Sequence, residues 1–154
     1  MKTGIGCILF LLLSMAFVSC QKNSVSKIPI ISLMVFWPAD SMTVNIDTTY
    51  VEFALTDGDG DIGNSATSVI YYRDSRYATD SFLTAPFPDI DPTIEDPKKG
   101  LQGTCVFYPV PQPVPRSDTF HAHRDTLSYE LYITDRAGHQ SNHITTHQVI
   151  IKSP

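Results

Sequence analysis

The sequence predicts an all-β chain folded as an antiparallel two-sheet sandwich of about seven strands. Three observations carry the prediction. Most of the apolar runs alternate with period two, and no long stretch repeats at the helical period. β-Branched and aromatic residues dominate those runs, and clusters of Gly, Pro, Asp and Asn separate many of them. The clearest case is Leu127, Tyr129, Leu131 and Ile133, which alternate with Ser128, Glu130, Tyr132 and Thr134 before the turn Asp135-Arg136-Ala137-Gly138.

Residues 1–20 have the form of an export signal, with Lys2 ahead of the apolar run Ile5 to Val18. That run of ~14 residues is shorter than the roughly 20 a membrane-spanning helix requires, so cleavage is expected. Phe17-Val18-Ser19-Cys20 resembles the lipobox of bacterial lipoproteins, with Phe17 in place of the usual Leu. The resemblance implies removal of residues 1–19, acylation of the Cys20 thiol and a lipidated tether over 20–27. It also implies attachment to a membrane of the cell envelope, the outer membrane being the expected one, on its periplasmic or surface face. No acidic run follows Cys20, which favours the periplasmic face.

The remainder, 28–154, is expected to form one domain, since a chain of this length builds a single hydrophobic core more readily than two. Lys2 leaves with the signal, so ten Lys and Arg face sixteen Asp and Glu, a net charge of −6. With its cations scattered rather than striped, the chain is not expected to bind nucleic acid. Cys105 becomes the sole free thiol of the acylated chain, and its apolar neighbours Val106, Phe107 and Tyr108 predict a core position.

The strands follow in order. Ile28 to Trp37 reads as the first and Tyr50 to Thr56 as the second, with Val51, Phe53 and Leu55 on one face. Ser68 to Arg73 reads as the third. Asp80 to Gly103, with Pro86, Pro88, Pro92 and Pro97, is excluded from the middle of a sheet and reads as a loop. Thr104 to Tyr108 is a further strand, running into the alternating prolines of 109–115, which favour an extended edge. The 127–134 strand and a last strand, Asn142 to Lys152, are expected to form a hairpin. Residues 129–138 resemble the penultimate strand and following turn of bacterial immunoglobulin-like repeats, which makes the expected sandwich immunoglobulin-like.

Between the second and third strands lies Asp57-Gly58-Asp59-Gly60-Asp61-Ile62-Gly63. Three carboxylates at alternate positions repel one another, and a hard cation such as Ca²⁺ relieves that repulsion by taking six to eight oxygen ligands. The segment is not an EF-hand, because Ile62 stands where that loop needs glycine and Ser68 where it needs a bidentate glutamate. In an immunoglobulin-like sandwich this loop and the last hairpin's turn lie at the same end, so Asp135 or Asn142 is expected to join Asp57, Asp59 and Asp61. Asp-Gly pairs are also good turn formers, so a plain solvated turn stands beside the calcium site as a reading. Similar Asp-Gly-Asp-Gly-Asp-Ile-Gly segments occur in Gram-negative lipoproteins of unknown role, a resemblance that implies a family without a function.

Two further groups of residues are candidates. Phe82, Leu83 and Phe87 in the long loop either offer an apolar contact surface for a protein or glycan ligand or plug the sandwich edge. His121 with His123, and His143 with His147, are spaced to share a strand face, which makes a small metal-dependent hydrolase the competing class. The sequence carries no Gly-x-Ser-x-Gly elbow, His-Glu-x-x-His pair or phosphate-binding glycine loop. The leading expectation is therefore a lipid-anchored, non-catalytic binding or assembly module of the cell envelope, stabilised by calcium.

Overall fold

A computed structural model describes residues 26–91, 93, 99–109 and 124–152. Residues 1–25, where the export signal and the Cys20 lipidation site are expected, lie outside the described residues, as do most of the proline-rich segment, His121 and His123. The chain is all-β, its helical content among the described residues being a single 3₁₀ turn, Ser75–Tyr77. Ten strands are described: β1 (Ile30–Trp37), β2 (Ser41–Thr43), β3 (Tyr50–Asp57), β4 (Val69–Asp74) and β5 (Leu83–Pro86) in the first half. They are followed by β6 (Leu101–Phe107), β7 (Arg124–Leu127), β8 (Tyr129–Thr134), β9 (Ile144–Thr145) and β10 (Val149–Lys152).

The strands form three sheets, ordered β1-β3-β6, β5-β4-β8-β9 and β2-β10-β7. Period-two alternation decides what each buries. In β3 the inward residues are Val51, Phe53 and Leu55, and in β8 they are Tyr129, Leu131 and Ile133. The first two sheets face one another across these side chains. Phe36 of β1 meets Tyr129 edge-on with ring centroids 5.9 Å apart, and Tyr72 of β4 meets Phe107 of β6 at 4.9 Å. Such contacts add to the burial that drives the layers together. Cys105 is buried in the same core, and that burial lifts its thiol to about 11, so it stays protonated at neutral pH.

Several expectations are corrected. The alternating run 127–134 is not one strand: it breaks at Ser128, where the chain leaves the sheet of β10 and enters that of β4. Ser75 holds the crossing, its N–H donating to the Ser128 carbonyl at 2.9 Å while its hydroxyl accepts from the Ser128 N–H at 3.0 Å. The last strand also divides. β9 pairs with β8 over two residues, and after Thr146 the chain crosses to β10, which runs antiparallel to β7 and parallel to β2. The expected hairpin is thus short, and the sheets are not purely antiparallel. The 80–103 loop contains β5, an edge strand ending at Pro86, and the first residues of β6. Proline is tolerated there because an edge strand has one row of unpaired backbone groups.

Candidate metal centre

Alternation carries the β3 pattern one step past Leu55 to Asp57, and the β8 pattern one step past Ile133 to Asp135. Both aspartates therefore point inward, and they are 1% and 0% exposed. Because β3 and β8 belong to the two facing sheets and end on the same side, the carboxylates meet at one end of the core. Asp59 and Asp61 arrive from the loop after β3. One carboxylate oxygen from each of Asp57, Asp59, Asp61 and Asp135 lies within 4.8 Å of the other three.

Local backbone chemistry holds this arrangement. Gly60 takes φ 67° and Gly63 φ 80°, left-handed values that suit glycine and curl the loop. Asp57 Oδ2 accepts the Asp61 N–H at 2.9 Å, closing the loop on itself. Asp61 pins it to the turn after β8: its carbonyl accepts from Arg136 N at 3.0 Å, and its Oδ2 from Ala137 N at 3.1 Å. Asp135 is fixed by His139, whose backbone N–H and ring Nδ1 lie 2.7 and 2.8 Å from its two oxygens. Ser68 links the loop to β8, its hydroxyl accepting from Gly63 N at 2.8 Å and donating to the Thr134 carbonyl at 3.1 Å. Gly100, at φ 72°, lies so close to the Asp57 carbonyl and Gly58 that a Cβ there would collide with them.

These bonds leave one oxygen on each of three acids without a partner. Asp57 Oδ1, Asp59 Oδ1 and Asp61 Oδ1 are buried and accept no hydrogen bond from the described residues. The basic side chains at the group lie at its rim: Lys27 Nζ stands 3.6 Å from Asp59 Oδ2 with its side chain 75% exposed, and the half-exposed His139 ring bonds Asp135. Burial, reinforced by the neighbouring carboxylates Asp59, Asp61 and Asp135, raises Asp57 to about 6 despite the Asp61 N–H bond. Burial likewise raises Asp61, with Asp135 and Asp59 adding to it. The hydrogen bond to Asp135 raises His139. Buried acceptors that lack donors are destabilising by about 1–3 kcal/mol each, more when charged. An all-oxygen, four-carboxylate set is what hard cations take, whereas zinc favours nitrogen and sulfur.

The other candidate residues do not gather into a second site. Asn142 is absent from the carboxylate group, because its side chain bonds both backbone groups of Ile31, N–H and carbonyl, at 2.9 Å each. Phe87 is 6% exposed and belongs to the core, which favours the edge-plugging reading for this residue over the contact surface. Phe82 packs against Tyr132, centroids 5.0 Å apart, beneath the Arg73 guanidinium, and of the three Leu83 alone is largely exposed. The described histidines are separate: His143 bonds Glu130 and stacks on Tyr132, and His147 lies against Phe36. The burial of Asp57 and Asp135 was written in the alternation itself, since each stands where the next apolar residue belongs. No family model, curated protein or solved structure matches the chain.

Proposed function

We propose that this protein is a calcium-binding, non-catalytic module of a Gram-negative cell envelope, held by lipid on Cys20, whose sandwich serves binding or assembly with a protein or glycan partner. The observation that carries the calcium reading is the convergence of Asp57, Asp59, Asp61 and Asp135 with three buried oxygens lacking donors. A divalent cation supplies the missing partner and offsets the mutual repulsion. Ligands across a calcium ion stand up to about 5 Å apart, a separation that accommodates this group. Water and backbone carbonyls of the glycine-rich loop would complete the shell.

The strand order supports the immunoglobulin-like part of the reading. One sheet is ordered β1-β3-β6, as the A-B-E strands of such domains are, and the other β5-β4-β8-β9, as their C′-C-F-G strands are. On that correspondence the acidic loop is the B–C loop and the Asp135 turn the F–G loop, neighbours at one end of the sandwich. The anchor reading rests on the lipobox-like Phe17-Val18-Ser19-Cys20.

Thermal unfolding in calcium and in chelator tests the site, with Asp59→Ala as the probe. Asp59 is the least structural of the four, since its bonding among the described residues is the loose Lys27 pair. A site filled at 100 times its Kd adds about 2.7 kcal/mol, or roughly ten degrees for a domain of this size. The parent is expected to show that rise, and Asp59→Ala to lose most of it while melting no lower in chelator. Identical melting of the parent in both conditions would leave the loop a plain turn.

A further inference from the structure

The outward face of the β1-β3-β6 sheet carries an unusual share of large apolar side chains, set among Ser32, Glu52, Thr56, Gln102 and Thr104. Apart from Ile46, Tyr77 and Leu83, the large hydrophobic side chains exposed among the described residues all belong to β1, β6 or the residues flanking them. Ile30, Trp37 and Val106 are about half exposed, at 51%, 51% and 46%. Trp37 is in register with Tyr50, whose ring lies 6.1 Å from that of Tyr108, so an aromatic row crosses the face from edge to edge. The β-bulge between Leu33 and Val35 leaves Met34 exposed, with its sulfur 3.9 Å from the Thr104 hydroxyl on the far strand. In a chain rich in acids these three strands hold two charges, Glu52 outward and Asp57 inward.

We infer that this face lies against the bilayer that holds the Cys20 lipid. The inference rests on the anchoring proposed above. Chain length argues for this occupant. Nine residues lie between Cys20 and Ile30, the first residue of β1, so ten steps of extended chain put the sheet's edge at most about 35 Å from the acylated residue. Composition agrees, because Trp and Tyr are amphipathic rings that settle at the headgroup level, with aliphatic side chains reaching beneath them. Charge agrees too. An acidic surface is repelled by anionic lipid, and the near-absence of carboxylates from this face removes that repulsion where contact would be made.

The chain's single tryptophan is Trp37, so its emission reports on this face alone. The full chain is isolated from membranes, the mass of its N-terminal peptide is measured, and the protein is reconstituted into phosphatidylethanolamine–phosphatidylglycerol vesicles with plain or brominated acyl chains. An acylated Cys20 peptide, blue-shifted Trp37 emission and at least twofold quenching by brominated lipid are expected. Met34→Glu with Val106→Glu, at exposed positions, is expected to abolish the quenching without lowering the melting temperature. Acylated protein whose Trp37 is unquenched overturns the inference and leaves the anchor standing. A blue shift without bromine quenching also overturns it, identifying a protein occupant such as a second copy. An unacylated Cys20 defeats the anchor and this inference together.

Discussion

Burial and three neighbouring carboxylates raise Asp57 to about 6, against an ordinary value of 3.8. The sign of the consequence follows from linkage. Between about pH 4 and 6 the folded, metal-free protein binds more protons than the unfolded chain, so its stability falls as pH rises through that window. Without metal the protein is therefore expected to melt higher near pH 4 than near pH 7 as far as this group decides. Asp57→Asn keeps the shape and the oxygen that accepts from Asp61 while removing the charge. It should flatten that pH dependence, raise the metal-free melting temperature at pH 7 and abolish the calcium-induced rise, all readable in one series of melts. A pH dependence unchanged in Asp57→Asn would show that another group carries it.

Among the elements, β1 depends on a side chain for what a neighbouring strand ordinarily supplies. Asn142, in the segment before β9, donates to and accepts from the Ile31 backbone, and Ile31 itself is 2% exposed in the core. Removing that side chain leaves an N–H and a carbonyl at the rim of the core short of partners. Asn142→Ala is expected to lower stability by about 1–2 kcal/mol, seen as a shift in denaturant midpoint with unchanged slope. No shift would mean that water replaces the amide. The same element scale explains the misread strands. Ser128 and Thr146 sit within β-patterned runs, yet their hydroxyls or backbone groups bond across to Ser75 and Tyr129, and at these points the chain changes sheets. Alternation reports which face a residue takes, and a strand that bends from one sheet to another keeps its alternation.

At the scale of the whole molecule, the carboxylate group joins the two facing sheets at one end. Asp57 ends β3 in one sheet, Asp135 follows β8 in the other, and Asp61 already bridges them through Arg136 N and Ala137 N. A cation bound there draws both sheets into one cooperative unit. Hydrogen exchange should therefore slow on calcium addition at the amides of 58–64 and of 135–139 together, with β2 and β5 changing little. Protection confined to the first loop would place Asp135 outside the shell. Local opening is governed by how well each segment is tied to the rest, which is why a shared ligand protects two distant stretches at once.

The sequence by itself determined the all-β class, the inward faces of β3 and β8, the Cys105 core position and the acidic loop, because each is written in residue type and period-two spacing. Phe87 shows the limit of that reading, since a proline-rich segment that looks like loop still delivers a ring to the core beside β5. Only the tertiary structure decided which strands pair, that Asn142 serves β1 and not the carboxylates, and that Asp135 comes within 4.8 Å of the other acids. The physical reason is one of range. Side-chain facing is fixed by the backbone geometry of neighbouring residues, whereas pairing and convergence join groups as far apart as Asp57 and Asp135, whose contact depends on how every intervening strand is packed.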